Sequence, residues 1–202
     1  MASNGRLIVI EGIDGSGGET QSQLIKDYLE SKKMPVERLR YPDYNRPVGK
    51  LIDEYLHGKY EMSFDVLTLL HTADRIQDKN KINGLLKKGT SVIADRWFTS
   101  TLAFQTAQGF HLDKMIKIGE ALEMPKPDIV IYLRISAETS AKRKLGEKGN
   151  LDRFEKDKLF LERVVNQYDK LAKENVFGKW VVIDGEQSKE RVFEEVKKAL
   201  GF

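Results

Sequence analysis

This chain of 202 residues contains no cysteine, which excludes disulfides, thiolate metal sites and thiol nucleophiles together. It also lacks any apolar run approaching the ~20 residues that cross a bilayer as a helix. The start, Met1-Ala2-Ser3-Asn4-Gly5-Arg6, has no signal-peptide core, so a cytoplasmic protein without membrane contact is expected. Neither sign of charge dominates: charged residues make up 32% and sum to a net +3. There is no dense basic stripe, so no nucleic-acid partner is expected. The length suits one domain, residues 1–202, with a substantial core.

The most telling shortage lies inside a motif. The apolar run Leu7-Ile8-Val9-Ile10 leads into Gly12-Ile13-Asp14-Gly15-Ser16-Gly17-Gly18-Glu19-Thr20, and then into a stretch of helical spacing. Strand, Gly-rich turn and helix are the context of the phosphate-binding loop G-x-x-x-x-G-K-[ST], with Gly12 and Gly17 at its glycines. The lysine position holds Gly18 and the hydroxyl position Glu19. Such a loop keeps its converging N–H groups and the positive helix end. It loses the cation that follows the phosphates into the transition state. Glu19 has two readings: a carboxylate can ligate Mg2+, and an acidic residue in a first turn stabilises its own helix.

Short buried-type strands alternate with amphipathic helices, which predicts an α/β fold with a parallel sheet. Strands are expected at residues 7–10, 36–40, 91–94, 128–133 and 180–183. Helices are expected at 20–32, 48–57, 63–87, 101–107, 114–122, 138–145, 155–174 and 189–200. Ligands of such sheets gather at the carboxyl ends of the strands, which selects Asp14, Tyr41-Pro42-Asp43, Asp95-Arg96 and Arg134. Asp95 reads as a magnesium organiser or a strand-end cap, and Arg96 as a phosphate fork or a surface ion pair. The polar stretch 142–158 reads as a solvated loop or as a lid bringing cations to phosphate.

Taken in order and spacing, these pieces resemble the thymidylate kinase family over nearly the whole chain. The resemblance runs through Glu11-Gly12-Ile13-Asp14-Gly15-Ser16-Gly17, Arg40-Tyr41-Pro42, Val48-Gly49-Lys50, His71-Thr72-Ala73-Asp74-Arg75, Asp95-Arg96-Trp97, Pro125-Lys126-Pro127-Asp128 and Leu151-Asp152-Arg153-Phe154-Glu155. It implies a three-layer P-loop kinase fold, with a five-stranded parallel sheet between helices. It also implies ATP and dTMP as substrates, Mg2+ as cofactor and a homodimer paired through helices, with the apolar faces of 63–86 and 101–107 as candidate surfaces.

Carried over by position, Gly12, Asp14, Gly15, Ser16, Gly17, Gly18, Glu19 and Thr20 would hold the ATP phosphates, and Arg143 would flank the adenine. Lys148 and Arg153 would be the lid cations, and Glu19 and Asp95 the metal ligands. Asp14 would meet the sugar of dTMP, with Tyr41 and Pro42 lining the acceptor pocket. Arg75 would lie against the nucleotide and Arg96 would hold its 5′-phosphate. Ser100 and Phe104 would close on the base, with Gln105 beside them. His71 stands where an aromatic usually stacks on thymine, and reads equally as a packing residue. Lys144 reads as solvent-exposed.

Besides Gly18 and Glu19, the chain departs from the family at His71 and at Tyr44, where relatives carry an arginine for the monophosphate. Arg46 is the candidate substitute. Three readings follow: a dTMP kinase compensated by lid cations, a kinase-fold nucleotide-binding protein of weak turnover, or a loop altered to trap a bound state. The sequence predicts that Gly18→Lys with Glu19→Thr raises both ATP affinity and transfer.

Overall fold

Uninterrupted apolar runs build the centre of the molecule. The computed structural model describes residues 5–148, 153–154 and 157–202, the side chains of residues 147 and 148 excepted. Five strands, β1 (Leu7–Glu11), β2 (Val36–Arg40), β3 (Ser91–Asp95), β4 (Ile129–Arg134) and β5 (Trp180–Asp184), form one sheet in the order β2-β3-β1-β4-β5. Every neighbouring pair is parallel. Successive side chains leave opposite faces of a strand, so both faces of this sheet are apolar. Leu7, Val9, Val92, Ala94, Val130 and Tyr132 join one core, and Ile8, Ile10, Ile93, Ile129, Ile131 and Leu133 join the other.

The first core is closed by α5 (Phe98–Ala107) and α8 (Lys158–Lys173), the second by α1 (Gly18–Ser31) and α9 (Lys189–Leu200). Around them lie α2 (Pro47–Leu56), α3 (Phe64–Ile76), α4 (Lys79–Lys87), α6 (Leu112–Ala121) and α7 (Ala137–Lys148). The result is the expected α/β fold, a parallel sheet with helices on both faces. No helix among the described residues is long and apolar enough to cross a membrane.

Several expected elements differ: α7 runs to Lys148, three residues past its expected end, and α8 starts at Lys158, three after its expected start. The single helix expected over 63–87 is two, α3 and α4, parted at Gln77 and Asp78. Asp78 is buried and accepts from the Tyr41 hydroxyl at 2.9 Å and from Arg46 Nη1 at 3.0 Å. Those tertiary partners hold its side chain away from the helix end it precedes, and no periodicity in the sequence records them. Helix α5 begins at Phe98, three residues before the expected start, and is buried on nearly every side. Its apolar residues are therefore core, and of the two candidate pairing faces only that on α3 is left exposed, at Phe64 (53%) and Leu69 (61%).

Candidate active site

The loop after β1 ends on Gly17, which caps α1 in the left-handed region (φ 95°) with no side chain over the helix end. Ser63, Asp157 and Ser188 cap α3, α8 and α9 with side-chain oxygens; α1 instead keeps its first N–H groups open to an anion. The loop is braced from α7. Ser140 Oγ donates to Asp14 O at 2.7 Å, and Arg143 donates to Gly15 O and to Gly185 O, each at 3.0 Å. Arg143 is thus a strut between the loop and the end of β5.

A polar cleft of about 790 Å³ opens over the loop, lined from Gly12 through Thr20 and by Arg40, Tyr41, Asp95 and Lys144. Lys144 is half-buried in this wall, contrary to the solvent exposure expected from sequence. Beside it lies a second cleft of about 550 Å³, lined by His71, Arg75, Ser100, Thr101, Phe104 and Gln105 among others. Asp14, Pro42, Tyr44 and Arg96 belong to both. The clefts therefore meet at one short stretch of wall, the point at which a group could pass from one occupant to the other. Pro42 lines both clefts, while Tyr41 lines the loop cleft alone and turns its hydroxyl to Asp78.

Arg96 adopts φ 66°, a left-handed conformation uncommon for a side-chain-bearing residue. The turn is held from below by Glu11. This buried carboxylate accepts from Trp97 N at 3.0 Å, from the Thr99 and Ser100 hydroxyls, and from Tyr168 OH at 2.8 Å. Arg96 Nη2 meets Asp14 Oδ1 at 3.2 Å, and its guanidinium lies 5.4 Å from the Phe104 ring centroid. Burial alone would depress its pKa, but Asp14, Tyr168, Glu11 and Asp95 around it hold it above the ordinary arginine value.

Arg75 is buried and donates to Trp97 O and His71 O, each at 2.8 Å. Burial pushes its pKa down, with Asp74 and Glu11 opposing. The His71 pKa is pushed well below its usual value by burial and then by Arg75 and Arg96, so the ring is neutral. Its Nδ1 lies 3.4 Å from Arg75 Nη1, which can only donate; Nδ1 therefore accepts and Nε2 carries the proton. Thr101 also lines the cleft, with a buried hydroxyl lacking a hydrogen-bond partner. Sequence reasoning gave no role to Thr101 or Glu11; the available signals were a run of polar residues, Thr99 to Thr101, in a helix with no polar face, and a carboxylate ending an otherwise apolar strand.

Other expected residues sit elsewhere. Arg46 is bound to Asp43 and Asp78, each at 3.0 Å, and lines neither cleft; it does not substitute for an arginine at position 44. Arg153 pairs with Glu61 at 2.6 Å and covers the Tyr55 ring at 4.5 Å, away from the loop. The Lys148 side chain, and residues 149–152, 155 and 156 of the expected lid, lie outside the described residues. Glu19 and Asp95 are both at the loop cleft, each in contact with Arg40. Burial raises the Asp95 pKa above its ordinary value and Glu19 adds to that, while Arg96, Arg40 and Arg38 oppose it. No group of three or more potential metal ligands occurs among the described residues.

A phosphate loop on the central strand of a parallel sheet, sharing a wall with a separate, more apolar cleft, defines a nucleotide kinase of the P-loop class. Residues 10–196 match the thymidylate kinase family model, and the chain belongs to that family. The thymidylate kinase of Carboxydothermus hydrogenoformans is 37% identical over 201 residues, spanning 97% of either chain. The human thymidylate kinase is 33% identical over 199 residues, 97% of this chain and 90% of that one. The solved thymidylate kinase of Candida albicans superimposes with a TM-score of 0.78 at 25% identity, covering 98% of this chain and 92% of its own.

Proposed function

We propose that this protein transfers the terminal phosphoryl group of ATP to dTMP, giving dTDP and ADP. The observation that carries the reading is the shared wall of the two clefts. A phosphate chain on the loop and a monophosphate beside Arg96 would meet there, and transfer needs little more than that positioning and charge. Arg96 is already surrounded by carboxylates that keep it charged, so it waits as a preorganised phosphate partner. Gly12, Asp14, Gly15, Ser16, Gly17, Gly18 and Thr20 form the donor site. Pro42, His71, Arg75, Ser100, Phe104 and Gln105 shape the acceptor side.

Thymine rather than cytosine fits Gln105. Gln105 Oε1 accepts from Thr68 Oγ1 at 2.9 Å, a hydroxyl that also lies 2.7 Å from Phe64 O. With its oxygen turned to Thr68, the amide offers its N–H side to a base, a donor that suits the O4 carbonyl of thymine and not the exocyclic amine of cytosine. Mg2+ bound with phosphates uses only one or two protein carboxylates, and Asp95 and Glu19 supply two at the loop cleft. Bound there, the ion would neutralise developing charge on the phosphates. The exposed apolar residues of α3 suit a homodimer contact.

A coupled ADP-release assay with ATP–Mg2+ and each deoxynucleoside monophosphate tests the reading. Turnover with dTMP at least about tenfold above dCMP and dGMP in kcat/KM is expected, a barrier difference of ~1.4 kcal/mol. Equal rates for all three, or none with dTMP, would overturn it.

A further inference from the structure

The loop holds glycine where its class holds lysine, and the packing shows what stands in that space. A Cβ on Gly18 would lie 2.8 Å from Asp95 Oδ1, closer than real contacts allow. Asp95 is only 6% exposed, so the carboxylate is fixed against the loop. Cations nevertheless converge there from the neighbouring strand. In the β2–β3 register Arg40 stands opposite Asp95, and Arg38, two residues earlier, projects from the same face. Arg38 reaches Asp95 at 3.6 Å and donates to Ser22 Oγ at 2.9 Å and to Glu19 O at 3.3 Å. Arg40 meets the Glu19 carboxylate at 2.9 Å and Asp95 at 3.8 Å, and lines the loop cleft itself.

We propose that Arg40 is the phosphate-contacting cation of the loop cleft, in the place of the absent loop lysine, and that Glu19 is the counter-ion it releases when phosphate arrives. Arg38 is a positioning residue that anchors Asp95 and the start of α1. The proposal rests on a nucleoside triphosphate occupying the loop. The Arg40 and Glu19 side chains are 52% and 61% exposed, and an ion pair so exposed holds its partners weakly. A phosphate chain offers the same guanidinium a paired, charge-assisted contact of greater strength. Arg40 also ends its strand at the carboxyl edge of the sheet, where ligands of this architecture bind. Arg96, by contrast, pairs with Asp14 on the wall that the two clefts share, where the monophosphate is expected. The same contacts reverse the sequence expectation for Gly18→Lys with Glu19→Thr: the new lysine displaces Asp95, and a cation is added to a site that already has one.

The test measures binding of ATP and of inorganic tripolyphosphate by calorimetry, and ADP release with dTMP, for the unmodified protein, Arg40→Gln, Arg40→Lys and Glu19→Gln. Arg40→Gln should weaken both ligands about tenfold or more and lower kcat/KM for ATP about 100-fold. KM for dTMP should stay within about threefold, because the acceptor cleft is untouched. Arg40→Lys should recover most of the binding, and Glu19→Gln should tighten tripolyphosphate. Melting curves confirm that each variant folds. Unchanged ligand binding in a folded Arg40→Gln protein overturns the proposal, even if dTMP is phosphorylated normally. Arg40-dependent tripolyphosphate binding without dTMP phosphorylation would instead overturn the kinase reading and leave the role of Arg40 standing. If neither ligand binds the unmodified protein, both fall.

Discussion

The two clefts share a wall but are held in opposite ways. Behind the acceptor wall, Glu11 is buried at the end of β1 with four donors on its two oxygens, Ser100 of that wall among them, and Arg75 is fixed by two backbone carbonyls. On the donor side, Arg40 and Glu19 form a half-exposed pair at the rim. A buried, fully bonded network is rigid and costly to disturb; an exposed pair costs little to open. The acceptor cleft is therefore shaped before its ligand arrives, and the donor cleft rearranges its ion pairs around the phosphates. Base selection calls for the first kind of site. Accepting a highly charged chain and releasing it again suits the second.

The most direct way to break this contrast is to remove one carboxylate from each side. Glu11→Ala strands four donors and leaves Arg75 and Arg96 with less compensation, a loss of roughly 3–5 kcal/mol by the usual cost of breaking a buried charge network. Glu19→Ala, on the rim, should change stability by less than about 1 kcal/mol. Urea unfolding of the two variants side by side measures the difference. Equal and small effects would mean that the Glu11 network does not hold the turn carrying Arg96.

A functional version of the comparison uses the arginine at the junction. Arg96→Gln keeps hydrogen-bonding capacity and removes the charge facing both clefts. It should lower kcat with dTMP by about 10²–10³ while ATP binding measured alone changes little. A parallel loss of ATP affinity would show that the shared wall belongs to the donor site, and that the division between the clefts is drawn in the wrong place.

Much of this division was legible in the sequence, for reasons that differ by element. The five strands appear within one residue of their true ends, and for β1, β3 and β4 the reason is that a strand buried on both faces leaves an uninterrupted apolar run. The loop is legible from its glycines, and Asp95-Arg96 from its place past a strand. The cationic group beside the loop was not. Arg40 belongs to a strand that reads as half-polar, and only the parallel register brings it opposite Asp95. Lys144 was hidden similarly, since whether a helix turns a lysine toward a loop more than a hundred residues earlier is decided by packing. The break at Asp78 depends on Tyr41 and Arg46, partners that no local pattern identifies.

The smallest expected effect sharpens the acceptor side through its titration. His71 is packed among Arg75 and Arg96, and its folded-state pKa lies well below the unfolded value of about 6.5. The unfolded chain therefore binds a proton that the folded chain refuses between those two values, and stability falls as pH drops below about 6.5. Above that pH the histidine contributes no slope. One such group changes stability by at most about 1.4 kcal/mol per pH unit. His71→Phe removes the titration while keeping an aromatic ring in the cleft wall, so the difference in unfolding free energy between variant and unmodified protein should widen in favour of the variant from pH 7.5 to pH 5.5. Urea midpoints at the two pH values measure it. A constant difference would mean that His71 takes up its proton in the folded state as readily as in the unfolded one, and that the acceptor cleft is less sealed around this ring than its contacts with Arg75 indicate.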